Sequence, residues 1–282
     1  MERNKVPELP EVETVRCGLE PVLEGKTIIN AQAFRPDIRF PIPQNLEKAL
    51  VGKRVLAVKR RAKYILIEVE GGPTIIWHLG MSGKVFISKT PPHGPLLKHD
   101  HVMLETNEGA RITFNDPRRF GFFIFSDQKN IEDHKFFKTM GPEPLGNNFS
   151  GPVLAANLMS KKASIKAALL DQKTVAGLGN IYVSEILYRS GVSPIREAGA
   201  LSSKMAEKVV IHTRDVLCEA LKAGGSSLKD FKSVDGELGY FQHKFKVYGR
   251  EGVSCPKGEC RGKIEKIVQS NRSSFYCPKC QK

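Results

Sequence analysis

The sequence predicts an α+β protein of several domains, with a β-rich N-terminal part, a helical middle part and a small C-terminal module held by cysteines. Three observations predict it. Apolar residues follow strand patterns over much of residues 53–125, the apolar period becomes helical after about residue 150, and four of the six cysteines follow residue 254. Hydrophobic residues make up 40% of the chain, which is enough to build packed cores. A disordered chain is therefore excluded.

Charge and hydropathy narrow the function classes. The 282 residues carry a net charge of +14, and residues 241–282 hold half of it, with ten Lys or Arg against three Asp or Glu. A strongly basic chain favours a polyanionic partner, and nucleic acid is the first candidate. No run of about 18 apolar residues exists, which argues against a membrane-spanning helix. The first five residues are polar and no apolar signal segment follows them, so we expect a cytoplasmic protein.

The N-terminal part begins with a helix and continues as strands. Residues 10–23 predict a helix, because Pro10 suits the first helical position and apolar residues recur at helical spacing after it. Two later pairs of segments have strand character, and a glycine-containing turn joins the members of each pair: Tyr64–Glu70 with Thr74–Leu79, and Val102–Thr106 with Ala110–Phe114. Together they predict a β-sandwich flanked by helices.

The middle part follows a linker rich in Gly, Pro and Asn at residues 141–148. Helical periodicity then predicts three helices, at 157–171, 180–190 and 201–223. The small residues of Gly177-Leu178-Gly179-Asn180 stand just before the second of them. They suit the close approach of a phosphate to a helix N-terminus, and a tight turn between helices explains the glycines equally well.

The last four cysteines have the spacing of a zinc site: Cys255-x4-Cys260-x16-Cys277-x2-Cys280. Each close pair can point two thiolates at one ion, and zinc can stabilise a module too small to build its own core. Two disulfides are the alternative, but an expected cytosolic location favours one structural Zn²⁺. The other two cysteines, Cys17 and Cys218, lie in apolar helical patterns and are expected to be buried thiols.

A β-hairpin is predicted between the two cysteine pairs. Residues 263–269 and 274–276 have strand character, and the polar segment 270–273 between them forms the turn. Arg272 is expected to project from the hairpin tip. An arginine at that position on a basic module suits a phosphate contact, and a solvated surface arginine is the alternative.

Ten segments, spread over nearly the whole chain, resemble the formamidopyrimidine-DNA glycosylase family, the bacterial base-excision repair enzymes for oxidised purines. They are PELPEVETV at 7–15, RRAKY at 60–64, HLGMSG at 78–83, KHDH at 98–101, NDPRRFG at 115–121, GLGNIYVSE at 177–185, GGSSLKDF at 224–231, DGELGYF at 235–241, VYGREG at 247–252 and the zinc hairpin. Their number and order make a chance resemblance very improbable.

The resemblance implies a domain order and a partner. The expected parts are a catalytic β-sandwich at 7–139, a linker at 140–152, a helix–two-turn–helix DNA-binding domain at 153–233, a lesion-recognition loop at 234–246 and a zinc finger at 247–282. The expected partner is double-stranded DNA that contains oxidised purines. The family also implies a monomer in the bacterial cytoplasm, associated with the nucleoid through its DNA.

Four residues match the family's catalytic groups. Pro7 matches the N-terminal proline whose secondary amine forms an iminium (Schiff-base) intermediate at the sugar C1′. Glu8 matches the acid that protonates the sugar ring oxygen or shuttles protons. Lys63 matches a hairpin lysine that assists β-elimination, and Arg272 matches the finger arginine of δ-elimination. Without the family, Lys63 would be interpreted as a surface lysine in a basic run.

Further residues match DNA contacts of the family. Met81 fills the space left by the flipped nucleotide, Phe120 wedges between bases, and Arg118 hydrogen-bonds the orphaned cytosine. Taken alone, Met81 and Phe120 would be assigned to the core. Phosphate contacts are implied for four residues: His99, Lys161, Asn180 and Arg272.

One departure from the family affects the chemistry directly. Met1-Glu2-Arg3-Asn4-Lys5-Val6 precedes Pro7, and a proline nitrogen in a peptide bond cannot form an iminium. Val6 stands where the family has its initiator Met, so we expect translation to start there, at a GTG codon, with Pro7 exposed after Met removal. The alternative is a real extension on a DNA binder that is processed or inactive.

Three other functions remain open at this point. The first is an endonuclease VIII-like glycosylase for oxidised pyrimidines, although PELPEVE and HLGMSG favour the purine branch. The second is a non-catalytic, zinc-dependent DNA-binding protein, which applies if residues 1–6 are retained. A zinc-ribbon RNA-binding or translational protein would explain the charge and the cysteines, but not Glu8, Lys63 and Arg118 in their motifs.

Overall fold

The computed structural model describes residues 6–225 and 241–282, which form two compact units. The first comprises residues 6–138 with 224 and 225, and the second comprises residues 139–223 with 241–282. Residues 234–240 of the recognition loop expected at 234–246 lie outside the described residues. Its last part contains a 3₁₀ turn, Phe241–Lys244. None of the helices in these ranges is long and apolar enough to cross a membrane.

The first unit is a β-sandwich with a helix against it. Its elements are α1 (Leu9–Leu23), β1 (Ile28–Ala33), α2 (Leu46–Leu50), β2 (Val55–Arg61), β3 (Tyr64–Val69), β4 (Thr74–His78), β5 (Lys84–Ser88), β6 (Asp100–Thr106), β7 (Arg111–Asn115) and β8 (Phe122–Ser126). One sheet has the order β1-β6-β7-β5 and the other β2-β3-β4-β8, all antiparallel. The predicted sandwich is confirmed.

A single hydrophobic core joins the two sheets and α1. Ile28 and Phe114 come from the first sheet, Ile65 and Trp77 from the second, and Leu19 from α1, each at most 1% exposed. Period-2 alternation places side chains of successive strand residues on opposite faces, so each strand contributes one row to this core. The ends of the strands and the turns between them lie outside this core, so their side chains are available for function.

The second unit is helical and carries the cysteine module. Its elements are α3 (Gly151–Leu158), α4 (Ile165–Leu170), α5 (Asn180–Ser190), α6 (Ser203–Lys222), β9 (Glu265–Gln269) and β10 (Arg272–Tyr276). Helix α5 has the predicted bounds, and Gly191 ends it in the left-handed conformation at φ 70°. Arg189 of α5 and Glu219 of α6 form a bidentate ion pair, with N–O distances of 2.6 and 2.7 Å.

The single helix predicted at 157–171 is wrong, because the structure has two helices there. Helix α3 ends at Leu158, and Ser160 adopts a left-handed φ of 63°. Helix α4 then starts afresh behind Ser164, whose Oγ accepts a hydrogen bond from the Ala167 N–H. The apolar spacing is helical on both sides of the break, so periodicity alone did not reveal it.

The prediction that Cys17 and Cys218 are buried is also wrong, since both side chains are exposed. Cys17 lies on the outer side of α1, where its Sγ is within 3.6 Å of a Glu13 carboxylate oxygen. Apolar neighbours in the sequence did not place these thiols on the core face of their helices.

Candidate functional site

Pro7 and Glu8 lie at the start of α1, both buried. Glu8 is the N-cap residue and forms a capping box with Glu11, in which the Glu8 N–H donates to Glu11 Oε2 at 3.0 Å. Glu8 is 3% exposed and Glu11 is 2% exposed. This arrangement holds the Glu8 carboxyl group directly beside the proline.

Lys63 occupies the two-residue turn between β2 and β3. Ala62 before it has φ 53°, which gives the tight hairpin geometry and leaves the Lys63 side chain half-buried. Tyr64, the next residue, pairs in register with His78 of β4, and their rings are 4.9 Å apart. The lysine is therefore held at the end of a sheet, beside an aromatic cluster.

His78 belongs to this group and the sequence analysis missed it. Its ring stacks on Phe122 at 5.3 Å, and its Nδ1 accepts a hydrogen bond from the Gly80 N–H at 3.0 Å. Burial, followed by the charges of Lys63 and Arg39, lowers the pKa of His78 to about 3. The neutral ring consequently carries its hydrogen on Nε2 and can act as a donor. Its place in HLGMSG, at the end of a strand, was the available signal.

We expect NMR to find His78 neutral, with the hydrogen on Nε2, from pH 8 down to pH 5. Because its folded pKa is below the unfolded value of about 6.5, the unfolded chain binds the proton first as the pH falls. The stability contribution of the neutral ring is therefore lost progressively below about pH 6.5, towards pH 3. Lys63→Met should raise the pKa, although burial keeps it below the usual range. A protonation midpoint near 6.5 in the unchanged protein would contradict this result.

Met81, Arg118 and Phe120 lie on two turns of the first unit that touch through their backbones. A Cβ at Gly80, whose φ is 65°, would overlap the backbone of Gly121. Phe120 is 43% exposed, and the Arg118 guanidinium lies 4.9 Å from the centre of its ring. Met81 is half-buried and Arg118 is exposed. Core packing thus does not account for Phe120.

His99 lies on a third loop of the same unit. It is exposed and has φ 78°, a left-handed conformation that is uncommon for a non-glycine residue. The following strand fixes this loop, because Asp100 Oδ2 accepts from the Leu97 N–H at 2.7 Å and Asp100 Oδ1 accepts from the Asn115 side-chain amide at 2.8 Å. The His99 ring is therefore exposed to solvent on a loop that hydrogen bonds hold in place.

In the second unit the structure brings Asn180 and Arg272 into one region. Asn180 is the first residue of α5, and its Nδ2 donates to the Ser273 carbonyl at 3.0 Å. Arg272 is the first residue of β10 and is exposed; the turn beside it is formed by Ser270 and Asn271, with φ 47° and 59°. The arginine is therefore next to the hairpin turn rather than at its centre.

Lys161 is placed differently from the other predicted phosphate contacts. Its Nζ forms an ion pair with Asp171 at 3.5 Å. Lys166 of α4, which the sequence analysis missed, is 1% exposed and donates to Ser273 O at 2.9 Å and to Ser274 Oγ at 2.6 Å. A lysine inside the apolar run Ile165–Leu170 was the signal for it. Among the described residues, Lys166 is the lysine that supports the Arg272 hairpin.

The four cysteines of the module converge as the spacing predicts. Their sulfur atoms all lie within 4.8 Å of one another, and all four are free thiols, which rules out the disulfide alternative. The Cys255–Cys280 and Cys260–Cys277 Sγ distances are 3.7 and 3.8 Å. Four ligands at the usual Zn–S distance of about 2.3 Å are roughly 3.8 Å apart in a tetrahedron, so the donor set fits one structural Zn²⁺.

Two neighbours orient the cysteine cluster. The Tyr188 hydroxyl lies 3.3 Å from Cys255 Sγ, and the Gly262 N–H donates to Cys260 Sγ at 3.4 Å. Contacts of this kind around the ligands fix the positions of thiolates. Tyr188 belongs to α5, so the zinc module is anchored directly to the helical part of its own unit.

Comparisons with known proteins agree along the chain. Three family models match: "Formamidopyrimidine-DNA glycosylase N-terminal domain" at residues 6–123, "Formamidopyrimidine-DNA glycosylase H2TH domain" at 140–232, and "Zinc finger found in FPG and IleRS" at 254–282. Two curated relatives, each called formamidopyrimidine-DNA glycosylase, come from Cereibacter sphaeroides and Ruegeria pomeroyi. Each is 52% identical over 283 residues, covering 98% of this chain and 100% of the relative.

Solved structures show the same similarity. A Lactococcus lactis Fpg in complex with an abasic site containing DNA matches with a TM-score of 0.89 and 32% identity, covering 98% of this chain and 100% of that one. The Thermus thermophilus MutM (Fpg) protein matches with a TM-score of 0.84 and 37% identity, covering 98% of both chains. On these grounds the chain belongs to the formamidopyrimidine-DNA glycosylase family.

Proposed function

We propose that this protein is a bifunctional DNA glycosylase and AP lyase that removes oxidised purines, such as 8-oxoguanine and formamidopyrimidines, from double-stranded DNA. The observation that carries the proposal is the match, at 52% identity, to two relatives called formamidopyrimidine-DNA glycosylase over their whole length. A Lactococcus lactis relative has also been solved with a Fapy-dG containing DNA. The described residues supply a chemical group for each step.

The nucleophile is the Pro7 nitrogen of a chain without residues 1–6, in which it is a secondary amine. Its lone pair forms a bond to the sugar C1′ while the glycosidic bond breaks; the damaged base leaves with the bonding electrons, and the proton that the nitrogen loses balances the proton that the base takes up. Glu8 lies next to Pro7 at the helix start and donates a proton to the sugar ring oxygen, which opens the ring and gives the iminium. The iminium acidifies the C2′ proton, and its loss expels the 3′-phosphate by β-elimination.

Lys63 and Arg272 act on the strand after base removal. Lys63, at the β2–β3 turn, assists β-elimination and contacts a phosphate. The neutral His78 beside it can donate its Nε2–H to a phosphate oxygen without adding a second buried charge. Arg272 assists δ-elimination of the 5′-phosphate, since a guanidinium can bind a phosphate through two hydrogen bonds.

Side chains on the turns of the first unit bind and distort the duplex. Met81 and Phe120 fill the space that the flipped nucleotide leaves, and Arg118 bonds the unpaired cytosine. Flipping a base costs a few kcal/mol, which these contacts offset. Phosphate contacts are assigned to His99, Lys161, Asn180 and Arg272, and lesion recognition is assigned to the segment 234–246.

The remaining features fit this proposal. One Zn²⁺, held by Cys255, Cys260, Cys277 and Cys280, stabilises the finger and has no part in the reaction. We propose the domain limits given by the resemblance, with a monomer acting on DNA in the bacterial cytoplasm. The positive charge of +14 supports a DNA partner, because phosphate contacts release counterions and strengthen binding.

Base release from matched duplexes tests the proposal. We expect release from 8-oxoguanine and formamidopyrimidine duplexes to exceed release from a thymine-glycol duplex in single-turnover assays. Glu8→Gln should lower base release by about 10²–10⁴-fold, the range of a lost general acid. Glu20→Gln, an exposed change on the same helix, should leave the rate unaltered.

Three outcomes would change this assignment. A preference for thymine glycol would make the protein an endonuclease VIII-like enzyme for oxidised pyrimidines. Tight binding of lesion duplexes without any base release would indicate a non-catalytic, zinc-dependent DNA-binding protein. A normal rate for Glu8→Gln would remove Glu8 from the mechanism while leaving the activity in place.

A further inference from the structure

The predicted DNA-inserting side chains come from two turns of the first unit. The turn at 79–83 carries Met81, and the loop at 116–121 carries Arg118 and Phe120. These side chains are exposed or half-buried, so packing in the core does not fix them. Interactions other than core packing of these side chains therefore have to set the distance between the two turns.

The Ser82 hydroxyl links both turns at a single atom. Its Oγ donates a hydrogen bond to Asp116 Oδ1, 34 residues further along the chain, and accepts one from the Arg118 N–H at 3.1 Å. The residue that follows Met81 is therefore bonded both to the start of the other loop and to the backbone of Arg118. Neither hydroxyl contact is with a sequence neighbour, so both depend on the tertiary fold.

Asp116 extends the link to the other predicted DNA contacts. It is fully buried, its Oδ2 accepts from the Gly121 N–H at 2.7 Å, and its own N–H donates to the His99 carbonyl at 3.0 Å. Gly121 directly follows Phe120. The Ser82–Asp116 pair thus touches, directly or through one neighbour, four predicted DNA contacts: Met81, His99, Arg118 and Phe120.

Backbone packing leaves the two turns little room to adjust in any other way. A Cβ at Gly121 would lie 2.7 Å from the His78 carbonyl oxygen and 2.7 Å from the Phe114 ring. No side chain could be added at Gly121, so the two turns meet through their backbones there, and the hydrogen bonds of Ser82 and Asp116 add to this contact. Groups fixed before binding lose less conformational entropy when they enter the DNA.

We propose that Ser82 and Asp116 are positioning residues that hold Met81, Arg118, Phe120 and the His99 loop ready for insertion into DNA. The inference rests on the proposed function, because it assumes that these side chains enter a duplex. In this proposal neither Ser82 nor Asp116 contacts the sugar or the base. Their role is specific to duplex opening, and it is separate from the amine chemistry at Pro7.

The test compares Ser82→Ala with the unchanged protein, both loaded with zinc and starting at Pro7. We expect single-turnover base release from a lesion duplex to fall about tenfold, because a displaced positioning group slows a reaction by such factors. The fluorescence rise of 2-aminopurine placed beside the orphaned base should shrink in parallel. Borohydride trapping on an abasic site in single-stranded DNA, where no base pair must be opened, should be unaltered.

Two further variants sharpen the experiment. Ser88→Ala removes a hydroxyl from the strand that follows the same turn, where its Oγ contacts His93 Nδ1 at 2.9 Å, and it should behave as the unchanged protein. Asp116→Asn should reproduce Ser82→Ala. Because Asp116 is fully buried, its variant can fail to fold, and thermal melting identifies that case. Ser82 is only half-buried, so Ser82→Ala then decides the question.

The outcomes separate this inference from the proposed function. Unaltered duplex release and fluorescence for Ser82→Ala would overturn the positioning role, as would equal losses on duplex and single-stranded DNA. If the unchanged protein itself gives no trapped complex, the proposed function fails. The 2-aminopurine comparison still decides the positioning role in that case, because insertion does not require the Pro7 amine.

Discussion

A chain that starts at Pro7 is expected to form a covalent complex with an abasic-site duplex under borohydride, whereas the 282-residue chain forms none. The reason is the state of one nitrogen atom. With residues 1–6 attached, the Pro7 nitrogen is a tertiary amide whose lone pair is delocalised into the Val6 carbonyl. As the first residue, Pro7 has a secondary amine that can attack C1′ and be trapped as the reduced iminium. Denaturing gel electrophoresis measures the complex.

The matched control is a chain that starts at Val6. It differs from the active form by one peptide bond and one residue, so its zinc content, melting temperature and duplex affinity should be similar. It should still give no trapped complex when intact-mass analysis shows Val6 present. A trapped complex from that chain would mean that a primary amine, that of Val6 or a lysine, also reacts with the abasic site. Pro7 would then stay the nucleophile only if the chain that starts at Pro7 is trapped faster. Intact-mass analysis of protein made from its native gene then shows which form the cell contains.

Loss of the zinc site is expected to have the second-largest effect. Cys277→Ser replaces a fully buried ligand, and four thiolates supply folding free energy of about 10–16 kcal/mol to a structural zinc module. The described residues of this module bury few apolar side chains: Val247 and Ile264 pack with Tyr188 and the cysteines. Without the metal, the hairpin that carries Arg272 should lose its fixed position.

We expect Cys277→Ser to lose bound zinc, measured by elemental analysis, and to bind lesion duplexes on the order of 100-fold more weakly. The control is Cys218→Ser, which changes an exposed cysteine on α6 outside the cluster and should keep both properties. Chelation of the unchanged protein should give the same loss, reversed by added zinc. Full duplex affinity in a zinc-free chain would contradict the role assigned to the finger.

The spacing of apolar residues along the sequence predicted much of the fold. Strand alternation predicted the sandwich, and helical spacing predicted α5 with its observed bounds, because both periods follow from backbone geometry. At 157–171 the helical spacing of apolar residues continues across the end of one helix and the start of the next, so it predicted one helix where there are two. The left-handed Ser160 and the cap at Ser164 end one helix and start another without interrupting the apolar spacing.

One lysine of the second unit shows what motifs miss. Lys161, which the resemblance predicts as a phosphate contact, forms a partly exposed ion pair with Asp171, and its contact with DNA stays a prediction. Lys166, inside an apolar run, is the lysine that holds the hairpin of Arg272, through residues more than 100 positions away. The apolar run marks Lys166 as unusual, but the sequence does not show its hydrogen-bond partners, because these depend on how α4 and β10 pack.

The sequence alone determined the family, the metal ligands and the catalytic candidates, because short motifs and cysteine spacing are local properties of the chain. Only the tertiary structure decided how those residues are supported. It gave His78 a pKa of about 3 by burial beside Lys63, and it joined Ser82 to Asp116 across 34 residues. Burial and long-range hydrogen bonds arise when distant segments pack together. The two residues of each such pair lie too far apart in the sequence for any local pattern to connect them.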